Sequence, residues 1–212
     1  MIPKISEEES MITTVLFDLY GTLLQLTRDS KPYVTLARHE SKMYTRKALR
    51  LSLINNCVNL TDYADLIGLS SQNGIDELEV ELAKDIKSAE LFEDTLPVLK
   101  VLKKKQIKTV LVSNLATPYK QTVTDHNLEN YFDSIVFSCD CGLVKPDPLI
   151  YQLALDRVNS PTEETIMIGD SHKSDYKGPS EIGIKSLLLV RDGDKNLELN
   201  TVSSLSDVLK SI

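Results

Sequence analysis

Four short segments place chemically capable side chains directly after apolar, strand-like runs: Asp18-Leu19-Tyr20-Gly21-Thr22, Ser113-Asn114, Lys145-Pro146, and Gly169-Asp170 with Asp175 beyond. An aspartate such as Asp18 can attack phosphorus and form an aspartyl-phosphate. Asp170 would repel Asp18 unless a cation lay between them, and Mg²⁺ favours oxygens of carboxylates, backbone carbonyls and water. The expected protein ligands are Asp18, Asp170 and the backbone carbonyl of Tyr20. Lys145 supplies a positive charge against the crowded carboxylates and phosphate oxygens, and Ser113 with the amides around Asn114 can donate to those oxygens. Asp175 is expected to act from behind the metal ligands. Together these residue types describe Mg²⁺-dependent hydrolysis of a small anionic, phosphorylated molecule.

The elements that must position them are legible as runs. Residues 12–18, 107–112, 134–138, 164–169 and 185–190 are β-branched or apolar and read as buried strands, with helical patterns near 95–105, 118–128, 148–158 and 174–182. Strands alternating with helices predict an α/β fold with a doubly wound parallel sheet, whose ligands bind at the carboxyl ends of the strands. The stretch from 26 to 90 carries no strand-like run and is expected to be a helical insertion over the sheet. Its first half is basic, with Arg38, Lys42, Arg46 and Arg50 sharing one helix face, and its second half, from Asp76 to Asp94, is acidic. The two halves are expected to pair as salt-bridged faces; the alternative is a basic rim that steers an anionic substrate.

Composition bounds the rest. The chain has 212 residues, 42% hydrophobic and 26% charged, enough for one core domain and a substantial insertion. A net charge of −7 gives no electrostatic reason to bind nucleic acid. No apolar stretch reaches the roughly 20 residues of a membrane span, and the acidic N-terminus is unlike a signal peptide, so no membrane partner and a cytoplasmic location are expected. The three cysteines imply no disulfide framework, and Cys139-Asp140-Cys141 lacks a histidine at zinc-site spacing.

The ordered set DxxGT, S-N, K-P and GDxxxxD, spread from residue 12 to about 190, resembles the four motifs of the haloacid dehalogenase superfamily. The resemblance implies a Rossmann-like core of residues 12–25 and 91–212 behind an N-terminal tail, 1–11. It further implies a mobile helical cap, 26–90, of the superfamily's first subclass, and Mg²⁺-dependent phosphatase activity. The pattern is broken at Tyr20, where such phosphatases carry a second Asp as general acid and base; a phenol is a poor substitute, and Tyr20 is at most an acid/base position. Tyr at this place, with Tyr151 after Lys145, resembles the 2-haloacid dehalogenases, whose halide leaves without a proton and whose ester on Asp18 would form without metal. Asp170 favours the metal-dependent branch. A catalytically weak binding or regulatory protein is the remaining alternative. Thr22 and Asn114 are expected near substrate or phosphate, Asn114 chiefly as a support of its loop. His172, His39 and His126 are assigned no role.

Overall fold

The computed structural model describes residues 11–38, 45–69, 74–192 and 199–212. The expected tail up to residue 10, His39 and Lys42 lie outside them. The chain runs β1 (Thr14–Phe17), β2 (Leu24–Leu26), α1 (Pro32–Arg38), α2 (Thr45–Ile54), α3 (Leu60–Leu66), α4 (Ile75–Lys87), β3 (Ala89–Leu91) and α5 (Thr95–Lys104). It continues with β4 (Lys108–Ser113), α6 (Gln121–Asp125), β5 (Ser134–Phe137), α7 (Ser138–Cys141) and α8 (Pro148–Val158). β6 (Thr165–Gly169), α9 (Gly178–Ser180), β7 (Lys185–Leu189) and β8 (Thr201–Val202) complete it.

Six strands form one parallel sheet in the order β5-β4-β1-β6-β7-β8. β1 is buried at every position because both faces of the sheet are covered. Val15 and Phe17 pack with Leu99, Leu102, Leu111 and Ile168 on the α5 face. Leu16 points the other way, to Val110, Met167, Ile150 and Tyr151 beneath α8. This is the period-two alternation of a strand with both sides apolar. The fold is thus the expected Rossmann-like α/β sheet.

Local chemistry sets the helix that follows Lys145. Asp147 accepts a hydrogen bond from the Leu149 amide at 3.0 Å, Pro148 occupies the first helical position, and Asn159 ends α8 in the left-handed region. Two expected helices are shorter than the sequence pattern suggests. Around 118–128 the chain makes a 3₁₀ turn, Thr117–Lys120, before α6, and near 174–182 it makes a π-helical turn, His172–Lys177, before α9.

α1 to α4 build a second core, in which Tyr33, Leu36, Leu60, Tyr63 and Leu82 are buried. The expectation of no strand between 26 and 90 needs adjustment at its edges. β2 and β3 pair antiparallel, Leu24 with Leu91 and Leu26 with Ala89, at the root of the helical layer. The expected salt-bridged faces also differ. Arg28 pairs with Glu81 and, at 3.3 Å, with Asp85, which also accepts bonds from the amide and hydroxyl of Ser30. Among the described residues Arg38, Arg46 and Arg50 are exposed and make no ion pair. The pairing runs through Arg28 because it stands beside the buried Asp85, whereas the arginine face turns to solvent. No helix among the described residues is long and apolar enough to cross a membrane.

Candidate active site

The sheet register brings the motif residues to one edge. Phe17 pairs with Leu111 on one side and Ile168 on the other, so Asp18, Ser113 and Asp170 follow at the same carboxyl end. β1 and β6 are where the strand order reverses, the usual crevice of a doubly wound sheet. The Asp18 amide donates to the Ile168 carbonyl at 3.0 Å, and the turn after it closes through Leu23 and Leu24 amides on the Leu19 carbonyl, at 2.8 and 3.1 Å. Gly21 sits in that turn at φ +78°, and a Cβ there would lie 2.5 Å from Asp170 Oδ2. Glycine therefore permits both the turn and the close approach of Asp170.

Lys145 is buried at the centre. Its Nζ donates to Asp18 Oδ1 at 2.8 Å and to Asp175 Oδ1 at 2.6 Å. The other Asp175 oxygen accepts the Ser171 amide at 3.0 Å. Gly169 makes room for this carboxylate, since a Cβ there would meet Asp175 Cγ at 2.3 Å. Burial pushes the Asp175 carboxyl up to about 7, Lys145 opposing and Asp18 adding to the rise. Burial works against the Lys145 ammonium, but Asp18 and Asp175 more than offset it, and its pKa is raised. Asp170 reaches solvent at its edge, yet partial desolvation and the charge of Asp18 hold it above the ordinary carboxylate value.

Asp18, Asp170 and Asp175 each offer one oxygen within 4.8 Å of the others. Among the described residues these three carboxylates face a single ammonium, that of Lys145. The donor set suits a hard divalent cation on electrostatic grounds. Both Asp175 oxygens are engaged, by Lys145 and by the Ser171 amide, while Asp170 has no cationic partner among the described residues. Asp18 and Asp170 are consequently the better placed pair for a metal, with Asp175 bracing Lys145.

The remaining predicted residues surround this cluster. Ser113 is buried at the end of β4. Asn114 straps the lysine segment, its Nδ2 donating to the Lys145 carbonyl at 2.9 Å and its Oδ1 accepting the Lys145 amide at 2.8 Å. The Leu115 amide donates to Ser138 Oγ at 3.1 Å and so is not free for a ligand. Among the described residues the buried Thr22 hydroxyl closes no hydrogen bond, although it stands near enough to Asp170 to ease that carboxylate's charge. The Tyr20 hydroxyl donates to the Tyr119 carbonyl at 3.1 Å and lies 3.0 Å from Thr122 Oγ1; burial raises its pKa above the usual phenol value. Tyr151 is buried and its hydroxyl donates to the Ser174 carbonyl. His172 is exposed and stacked on Tyr176, and His126 caps α6 with Nδ1 at 2.8 Å from the Thr122 carbonyl. The cysteines are free thiols and take no part in the carboxylate cluster.

Sequence reasoning did not single out Arg191. It donates to the Thr22 carbonyl at 2.7 Å and pairs with Asp94 at 3.0 Å, tying the turn after Asp18 to the start of α5. The available signal was a cation directly after the last long strand, β7. Nor did it single out Tyr119, which joins Tyr20 in lining a cavity of about 690 Å³ between the strand edge and the helical layer.

Residues 12–183 match the haloacid dehalogenase-like hydrolase family. A haloacid dehalogenase-like hydrolase domain-containing protein 3 from Danio rerio is 34% identical over 107 residues, 50% of this chain and 44% of that protein. The chain thus spans about half the length of the first curated relatives it matches. A pyrophosphatase PpaX from Bacillus mycoides (strain KBAB4) is 28% identical over 195 residues, 83% of this chain and 82% of that protein. The crystal structure of a HAD phosphatase from Thermococcus onnurineus shares the fold, with a TM-score of 0.67 and 22% identity over 94% of this chain and 97% of that one. The ordered motifs, the sheet that converges them and the matched span place this chain in the haloacid dehalogenase-like hydrolase family.

Proposed function

We propose that the protein is a Mg²⁺-dependent phosphatase of small phosphorylated molecules that works through an aspartyl-phosphate on Asp18. The observation that carries this reading is the carboxylate pair Asp18 and Asp170, which, among the described residues, stand together with Lys145 alone to balance them and Asp175. Asp18, Asp170 and the Tyr20 carbonyl would hold Mg²⁺, which supplies Lewis-acid charge to the phosphate oxygens. Asp18 attacks phosphorus as the ester oxygen leaves with its electron pair; water then attacks the same phosphorus, the P–O bond to Asp18 breaks, and phosphate departs carrying the water's oxygen and protons, which restores the carboxylate. Lys145 orients Asp18 and offsets negative charge, and Ser113 and the backbone N–H of Asn114 donate to phosphate oxygens. The helices between β2 and β3 act as a cap that excludes water. A pyrophosphatase relative that spans most of the chain supports phosphoryl chemistry.

Tyr20 gives no proton to the leaving group, because its hydroxyl is held by Tyr119 and Thr122. Turnover is therefore confined to substrates whose leaving group departs unprotonated. Asp18→Asn is expected to abolish Mg²⁺-stimulated hydrolysis of p-nitrophenyl phosphate; retained turnover overturns the aspartyl-phosphate mechanism. The same feature of Tyr20 favours a second reading, 2-haloacid dehalogenation, which chloride release from 2-chloropropionate in EDTA would establish.

A further inference from the structure

We infer that the leaving group this chain accepts is an aromatic, apolar alcohol, so that its preferred substrates are aryl phosphates and not sugar or polyol phosphates. The inference rests on the phosphoryl-transfer reading and specifies the substrate class of that site.

The cavity of about 690 Å³ adjoins the reacting edge through Gly21 and Asn114 and is walled by Tyr20, Leu26, Tyr33, Leu49, Leu53 and Tyr119. Its size is that of a site for a small organic molecule. Tyr20 and Tyr33 offer rings and not hydroxyls. Tyr119 meets Tyr20 edge-on at 5.9 Å and lies tilted against Tyr33 at 6.2 Å. The Tyr20 hydroxyl is bonded to the 119–122 segment, and the Tyr33 hydroxyl is buried out of solvent contact.

Two polar groups of the wall are engaged elsewhere, and the others, Gln25, Asp29 and Lys31, are exposed. Asn114 is bonded at both ends of its amide to the Lys145 backbone, and Ser52 donates to the Leu49 carbonyl at 2.8 Å. Asp29 and Lys31 stand 3.6 Å apart in an exposed pair, so their charges oppose each other. A sugar set against the Tyr20, Leu26, Leu49 and Leu53 part of this wall would lose the hydration of several hydroxyls without replacement, which is unfavourable. An aryl group would bury apolar surface and find edge-to-face partners.

Leaving-group chemistry points the same way. Phenols ionise near pH 10, far below alkanols, and so depart as phenolates without the proton that Tyr20 does not supply. Apolar wall and missing acid select one kind of molecule.

The test compares 1-naphthyl phosphate, acetyl phosphate and glycerol 3-phosphate on the full chain with Mg²⁺. The expected order of kcat/KM is naphthyl above acetyl above glycerol, and Leu53→Asp is expected to reduce the naphthyl-to-acetyl ratio by about tenfold or more, since a charge in that wall repels an aryl group. The chain has no tryptophan, so 1-naphthol fluorescence in EDTA reads binding to the cavity directly. Saturable binding that weakens in Leu53→Asp supports the assignment. Leu49→Asp replaces that variant if its thermal unfolding shows a folding defect. Equal turnover of naphthyl and glycerol phosphates, an unchanged ratio, or no naphthol binding overturns the aryl assignment while leaving the Asp18 mechanism standing. Absence of Asp18-dependent turnover with all three substrates overturns both.

Discussion

The hydroxyl of Tyr20 donates to the backbone carbonyl of Tyr119 at 3.1 Å, so the side chain two residues after Asp18 is directed to the loop beyond β4. Its ring remains at the cavity wall while its proton is held by the protein. Tyr20→Phe is accordingly expected to lower turnover of p-nitrophenyl phosphate by less than about tenfold, short of the roughly 10²–10⁴ that loss of a general acid costs. Tyr20→Asp is expected to raise turnover of an alkyl phosphate. Steady-state kinetics on the two substrates check both; a larger loss in Tyr20→Phe would show that the phenol is a proton donor after all.

Lys145 balances two carboxylates, and on the Asp175 side the pair is closed to water, with the Lys145 side chain 2% exposed and that of Asp175 0% exposed. Lys145→Met leaves Asp175 buried without its cation. Removing one partner of such a pair typically costs about 3–5 kcal/mol, part of which protonation of Asp175 relieves. Urea unfolding in EDTA is expected to show a loss of this order at neutral pH and a smaller one at acid pH. Equal losses at both would separate Asp175 from the effect.

The Asp175 carboxyl, raised to about 7 chiefly by burial, ionises near 3.8 in the unfolded chain. Between those values the folded chain holds a proton that the unfolded chain has released. The contribution of Asp175 is then present in full at low pH and is lost as the pH rises through the window from about 4 to about 7. In EDTA, the wild type is expected to lose stability across this window relative to Asp175→Asn. Parallel urea midpoints for the two proteins would contradict this.

Gly21 carries two constraints at once, a φ of +78° and a Cβ position 2.5 Å from Asp170 Oδ2. Gly21→Ala forces Asp170 away from the Asp18 side of the crevice. Mg²⁺ affinity measured by titration calorimetry is expected to fall by roughly tenfold or more, as when the support of a ligand is disturbed. Gly68 has a similar φ of +81° and nothing within 4 Å of its Cβ position, so Gly68→Ala is expected to cost about 1 kcal/mol of stability and leave Mg²⁺ affinity alone.

The long strands were legible because a parallel strand buried on both faces must be an apolar run, and β1, β4 and β6 are such runs. β2, β3 and β8 were not, since two or three residues cannot display a period. The π-helical turn at His172–Lys177 reads as an ordinary helix in sequence, because its hydrogen-bond pattern leaves the residue types unchanged.

By itself, the sequence determined the order of chemically capable residues after the strands, and with it the family, because the ends of buried strands are marked by where apolar runs stop. Only the tertiary structure decided the partners. That Lys145 bridges Asp18 and Asp175, that Arg191 holds the Thr22 carbonyl, and that the Tyr20 hydroxyl donates a hydrogen bond to the Tyr119 carbonyl all join residues 30 to 169 positions apart. Such pairings depend on the register and packing of elements remote in the chain, which local residue types do not encode singly.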